Sequence, residues 1–116
     1  MSFAPRALLM VRGGEGEGST IPLAEGTAIL GRSALADILV DFPGISRQHA
    51  AIQGDANGFS IADMGSRNGT FVNGTRIGEE AHRLKNWDRI ELDGLDVSWV
   101  FMESQDTIDM PRAPQG

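Results

Sequence analysis

Apolar positions recur along the chain in short runs with a period of two. Phe59 and Ile61 share one side, with Ser60 and Ala62 opposite. Ile90 and Leu92 alternate with Arg89 and Glu91, and Leu95, Val97, Trp99 and Phe101 form one side of the last long run. A half-buried strand needs this alternation, because successive side chains point to opposite faces. Further strands are predicted over Ala7–Arg12, Ser19–Leu23, Thr27–Gly31, Ile38–Val40, His49–Gln53, Thr70–Val72 and Thr75–Ile77. Between the runs stand Asn57-Gly58, Asn68-Gly69, Asn73-Gly74 and Asp93-Gly94, pairs that tolerate the positive φ of tight turns. No stretch has the spacing of an amphipathic helix, and only Glu79–Leu84 could hold a helical turn. The pattern specifies an all-β sandwich or barrel.

Two segments break the alternation. Gly13–Gly18 (Gly-Gly-Glu-Gly-Glu-Gly) reads as an acidic turn between the first two strands. Its glycine spacing fits no dinucleotide fingerprint, no lysine follows as in a phosphate-binding loop, and its glutamates would repel phosphate. From Glu103 to Gly116 the alternation stops and Pro111 and Pro114 appear, so this segment is expected to be a disordered tail. The domain is expected over residues 1–102. Thr107, between Asp106 and Asp109, suits a kinase, and once phosphorylated could serve as a ligand for this domain or a neighbouring copy.

Composition narrows the function. With 116 residues the chain suits one domain. Ten Lys+Arg against 16 Asp+Glu give a net charge of −6, which argues against a nucleic-acid partner. There is no cysteine, which removes disulfides, Cys-ligated zinc and a thiol nucleophile together. His49 and His82 are the only histidines, so no metal or other cofactor is expected. No apolar run approaches the ~20 residues of a membrane helix, nor is a signal peptide visible, and a cytoplasmic location is expected. Catalytic readings find little. Ser46 and His49 have no evident third group to orient the imidazole and no oxyanion hole, so no catalytic residue is assigned.

The arginines are more informative. Nine of the ten basic residues are arginine, and three sit beside serines in predicted loops: Arg32-Ser33, Ser46-Arg47 and Ser66-Arg67. A guanidinium offers a rigid fork of donors matched to phosphate oxygens, and a hydroxyl adds a neutral donor. Loops of a sandwich gather at its ends, so the three could converge into an anion pocket. Alternatively, each arginine simply pairs with a surface carboxylate.

Gly31-Arg32, then Ser46-Arg47-Gln48-His49-Ala50, then Gly65-Ser66-Arg67-Asn68-Gly69-Thr70-Phe71-Val72-Asn73-Gly74, in that order and spacing, resemble a forkhead-associated (FHA) domain. The resemblance covers roughly Ala7 to Met102. It implies a β-sandwich of about eleven short strands that binds phosphothreonine peptides through loops at one end. By the same resemblance Arg32 pairs with the phosphate and Ser46 donates its hydroxyl to it. Arg47 and Arg67 add phosphate or peptide contacts, and Asn68 holds the peptide backbone. Gly31, His49, Gly69, Thr70, Asn73 and Gly74 support the site, Gly31 by permitting a turn and His49 by bracing the loops of Ser46 and Asn68. The implied partner is a protein carrying phosphothreonine made by an upstream Ser/Thr kinase, with signal transduction the context. The alternative is a scaffold that uses the same sandwich for phosphate-independent contacts. The uncharged loop Phe42-Pro43-Gly44-Ile45 suggests an apolar or undemanding preference at the third peptide position after the phosphothreonine. One departure stands out: the family often has Gly-Asp where this chain has Trp87-Asp88, which places one turn conformation in question.

Overall fold

The computed structural model describes residues 6–104. It contains β1 (Ala7–Arg12), β2 (Thr20–Leu23), β3 (Gly26–Gly31), β4 (Ile38–Leu39), β5 (Ala50–Asp55), β6 (Gly58–Asp63), β7 (Thr70–Val72), β8 (Thr75–Ile77), β9 (His82–Arg83), β10 (Arg89–Leu92) and β11 (Ser98–Glu103). One sheet has the order β2-β1-β11-β10-β7-β8 and the other β4-β3-β5-β6-β9. β3 and β4 pair in parallel, whereas the other pairings are antiparallel. The fold is an all-β sandwich, the class that the alternation predicts.

The alternating residues meet between the sheets. Leu9, Ile90, Leu92, Trp99 and Phe101 come from one, and Leu30, Ile52, Phe59 and Ile61 from the other; all are buried. The rings of Phe59 and Phe101 touch across the interface at a tilt, 5.7 Å between centroids. Burial of each such side chain contributes about 1.5–3 kcal/mol.

The strand ends place the loops. Leu30 pairs with Ala50 and Ala50 with Asp63, so the end of β3, the start of β5 and the end of β6 lie side by side. Loops 32–37, 40–49 and 64–69 therefore gather at one end of the sandwich. At the other end Ala7 pairs with Glu103, and the Arg6 guanidinium donates to the Asp55 carbonyl where β5 ends.

Several details differ from expectation. Glu79–Leu84 holds no helical turn; His82–Arg83 forms β9, paired with Ser60 and Ile61 of the sheet edge. The edge supplies the hydrogen bonds that a single helical turn would leave unmet. Leu95 and Val97 precede β11 and only pack against the core. β11 runs through Glu103, one residue into the expected tail, because Ala7 offers that residue a partner. The rest of that tail from residue 105, including Thr107, lies outside the described residues.

Two turns hold a residue other than glycine in the left-handed region. Asn73 and Gly74, at φ +53° and +84°, form the two-residue hairpin between β7 and β8. Trp87, at φ +75°, occupies the third position of a turn closed by the Asp88 N–H donating to the Lys85 carbonyl. The Trp87 N–H donates to Phe101, and the Phe101 N–H donates to Asp88. Trp87 and Asp88 thus oppose one residue in a β-bulge whose first position favours glycine. Although tryptophan replaces the glycine, the turn keeps its left-handed conformation.

Candidate functional site

Each of the three gathered loops is fixed by contacts within or between them. Loop 40–49 begins at buried Val40 and inserts Ile45 into the core. Its far end lies against β3 and its extension: the Arg32 N–H donates to the Ser46 carbonyl and the Ser33 N–H to the Arg47 carbonyl. A Cβ at Gly31 would lie 1.9 Å from the Arg47 oxygen. Gly31 is therefore required by a close backbone approach within a strand, and not by the turn that the resemblance implies.

His49, fully buried, joins two of the loops. The Ser46 N–H donates to its Nδ1 at 3.2 Å, which makes Nδ1 an acceptor. The ring proton consequently sits on Nε2, 2.9 Å from the Gly69 carbonyl oxygen that accepts it. A second tie runs from the Arg67 N–H to the Ser46 hydroxyl oxygen at 3.0 Å. A third runs from the Asn68 side-chain amide, which donates to the Gly44 carbonyl at 2.9 Å.

Loop 64–69 is organised by Asp63, a residue with no signal in the strand pattern. Its carboxylate accepts from the Ser66 hydroxyl, from the Ser66 N–H at 2.9 Å and from the Thr70 hydroxyl at 2.7 Å. The Ser66 oxygen in turn accepts from the Gly69 N–H at 2.9 Å. Burial pushes the Asp63 carboxyl up, but the hydrogen bonds from the Ser66 and Thr70 side chains and from the Ser66 and Gly65 backbone outweigh it. The net effect holds the group below its ordinary 3.8. Ser66 is thus committed inward, and of the three Ser/Arg pairs it is not one that presents its hydroxyl to a ligand. Gly69, at φ +102°, lies under Arg76, whose Nε would be 2.8 Å from an added Cβ.

The resulting surface is a depression of about 280 Å³ lined by Arg32, Gly44, Ile45, Ser46, Arg47 and Arg67. No carboxylate lines it. The Arg32 Nε–H donates to the Ile45 carbonyl at 3.0 Å, which fixes the guanidinium and leaves its two terminal amino groups without a partner among the described residues. Among the described residues the ion pairs are Arg6–Glu25, Arg12–Glu17 and Arg89–Glu91. The alternative of arginines neutralised by surface carboxylates therefore does not hold for Arg32, Arg47 or Arg67. Since the Ser46 oxygen accepts from Arg67, its own hydrogen is free to donate outward. Asn68 does not line the depression; it stands beside it, holding Gly44, with its amide oxygen and second N–H uncommitted. Asn73 and Gly74 lie away from the depression, where Asn73 donates to the Asp88 carboxylate at 2.9 Å.

A larger cavity of about 700 Å³ lies among Val11, Ile21, Phe42, Val97 and Trp99, with Glu15 and Asp96 in its wall. Its apolar wall and carboxylates are unsuited to an anion. Among the described residues no group of acids and histidines is placed to hold a metal.

Residues 28–93 match the FHA domain family. The oxoglutarate dehydrogenase inhibitor of Corynebacterium jeikeium is 36% identical over 86 residues, which cover 74% of this chain and 58% of that protein. The glycogen accumulation regulator GarA of Mycobacterium tuberculosis is 35% identical over 86 residues, 74% of this chain and 52% of that protein. The chain thus spans between half and two thirds of the length of these curated relatives. A structure solved for the structural and functional analysis of phosphothreonine-dependent FHA domain interactions superposes with a TM-score of 0.72. It is 31% identical and covers 84% of this chain and 96% of that one.

Proposed function

The chain belongs to the FHA domain family, and from that premise we propose that it is a phosphothreonine-peptide-binding module recruiting a protein phosphorylated by a Ser/Thr kinase. One observation carries the reading: three arginines that have no carboxylate partner among the described residues surround a serine whose hydroxyl donates to none of those residues. Guanidinium groups that face one depression repel one another, and a bound anion relieves that repulsion. A phosphothreonine carries about −1.5 to −2 charges and three acceptor oxygens. In our reading the terminal amino groups of Arg32 and the Ser46 hydroxyl take those oxygens. Arg47 and Arg67 supply further positive charge at the rim. Asn68 uses its oxygen and remaining N–H on the peptide backbone, since an amide offers both donor and acceptor.

The module binds and does not catalyse. The family and the inhibitor and regulator names of its relatives support this reading. No cofactor enters the chemistry. We further propose that the domain ends with β11 at Glu103 and that it acts in the cytoplasm. Among the described residues no helix is long and apolar enough to cross a membrane.

Fluorescence anisotropy with a degenerate phosphothreonine peptide pool tests the proposal, with unphosphorylated and phosphoserine pools beside it. Binding is expected to require the phosphate, to favour threonine and to fall at least tenfold in Arg32→Ala. Equal binding of the unphosphorylated pool would overturn it in favour of phosphate-independent scaffolding.

A further inference from the structure

The acidic turn Gly13–Gly18 plays no part in the phosphate site, yet the fold gives it an ordered place. The Val11 N–H donates to the Ser19 carbonyl, the Gly18 N–H to that of Val11 and the Ser19 N–H to that of Gly16. The Glu17 carboxylate accepts from the Gly13 N–H and pairs with Arg12. A Cβ on Gly13 would lie 2.6 Å from the Asp96 carbonyl oxygen, so the turn rests closely on loop 93–97. Glu15 is held on this ordered turn, and neither its carboxylate nor that of Asp96 has a hydrogen bond or ion pair among the described residues.

Both carboxylates stand in the wall of the cavity of about 700 Å³, and among the described residues no basic side chain lines it. The cavity lies where β2, the edge of one sheet, faces β4, the edge of the other. The rest of its wall is apolar: Val11, Ile21 and Val97 are half-buried, and Phe42 is exposed. Two links make it continuous with the phosphate site. Phe42 in its wall and Ile45 in the wall of the phosphate pocket end one turn, closed by the Ile45 N–H donating to the Phe42 carbonyl. Pro43 and Gly44, the latter at φ +90°, fill the middle of that turn, which brings its ends within about 7 Å of each other. On the other side the Asp93 N–H donates to the Gly69 carbonyl, which sets loop 93–97 against loop 64–69. Two adjoining depressions thus carry opposite charge, three arginines in one and two carboxylates in the other.

This arrangement selects an occupant. An extended peptide advances about 3.3 Å per residue, so one seated by its phosphate brings a side chain about two to four residues away over the cavity. An acidic side chain would be repelled there, and a purely aliphatic one would leave both carboxylates unused. Lysine and arginine meet both demands, with the methylene stem on the apolar wall and the charged head at the rim. We propose that Glu15 and Asp96 are specificity determinants: the cavity takes a lysine or arginine side chain near the phosphothreonine, so that the module reads a phosphate and a base together. The uncharged loop 42–45 supplies only the apolar part of this subsite; its charge comes from the turn of Glu15 and the loop of Asp96. The inference rests on the phosphopeptide reading and adds the chemistry of a neighbouring peptide residue.

Fluorescence anisotropy of the full chain tests this with phosphothreonine peptide pools. In each pool one position, up to four residues either side of the phosphothreonine, is fixed as Lys, norleucine or Glu, and the rest are degenerate. At one position Lys is expected to bind about threefold or more tighter than norleucine, an uncharged chain of similar length, with Glu weakest. At the other positions Lys should gain less. The double variant Glu15→Gln/Asp96→Asn should bring the Lys-to-norleucine ratio close to one, and Glu15→Lys should reverse the order of Lys and Glu. Glu25→Gln removes the same charge at the far end of the sandwich, where Glu25 pairs with Arg6, and should leave the ratio unchanged. A Lys advantage equal at every position, or lowered as much by Glu25→Gln as by Glu15→Gln, would overturn the proposal in favour of attraction to the net charge. Equal binding of Lys and norleucine would overturn it in favour of a purely apolar subsite, and a preference for Glu would reverse it. In those cases phosphate-dependent binding survives and the phosphopeptide reading stands; if no phosphothreonine pool binds, both fall.

Discussion

Trp87 at φ +75° holds a conformation that costs a non-glycine residue about 1 kcal/mol or more. Trp87→Gly is therefore expected to stabilise the fold by about 1 kcal/mol, a rise of about 4–8 °C in melting temperature for a domain of this size. Differential scanning calorimetry would read it; no rise would mean that side-chain contacts of the indole offset the strain. Gly31 makes the opposite case. Its φ is unremarkable for a strand, but a Cβ would meet the Arg47 carbonyl at 1.9 Å. Gly31→Ala should lose about 3 kcal/mol, the upper end for overpacking, because a backbone atom cannot swing aside. Urea denaturation would measure the loss, and phosphopeptide affinity should drop with it, since the displaced backbone carries Ser46 and Arg47.

Among the elements, loop 64–69 depends most on one side chain. Asp63 gathers donors from Ser66 and Thr70, and hydrogen bonds to a charged group contribute about 1.5–3 kcal/mol. Asp63→Ala should destabilise the domain by about 3 kcal/mol and weaken phosphopeptide binding, because Arg67 and Asn68 lose their support. The acid limb carries a second signature. The Asp63 pKa is depressed on folding, so its stabilisation is complete above the ordinary 3.8 and is lost as pH falls through the lower folded value. Wild type should lose stability there more steeply than Asp63→Asn, which has no charge to lose; chemical denaturation across that acid range would show it. The elements differ in how far the sequence reveals them. The strands of Phe59, Ile61, Ile90 and Leu92 are legible because one face is buried and the other wet. β9 is not, because both its residues are exposed and only the β6 edge specifies it. Arg32, Ser46 and Asn68 are legible through motif order. Asp63 is hidden because it ends a strand as an ordinary alternating residue, and its partners lie on the next loop. The inward turn of Ser66 is hidden for the same reason.

At the scale of the whole molecule the net charge of −6 meets a local cluster of three arginines. At contact the cluster dominates, while charges beyond about 8–10 Å are screened in physiological salt. Phosphopeptides with flanking acids should therefore gain affinity as salt is raised from low to physiological levels, relative to neutral-flanked ones. Below about pH 6 the ligand regains a phosphate proton, so affinity should fall from pH 7.5 to 5.5. Anisotropy titrations across that range separate this from the Asp63 limb, which lies at lower pH. The pairing of Ala7 with Glu103 sets a last constraint, one of reach. Polypeptide flanking the sandwich departs from the end opposite the arginine cluster. A six-residue strand such as β5 is about 20 Å long, and the loops add to that distance. Four peptide units separate Glu103 from Thr107 and extend at most about 14 Å. That reach is shorter than the strand alone, so occupancy of the pocket by a phosphorylated Thr107 is expected to join two molecules and to fade on dilution, which sedimentation across a concentration series would show.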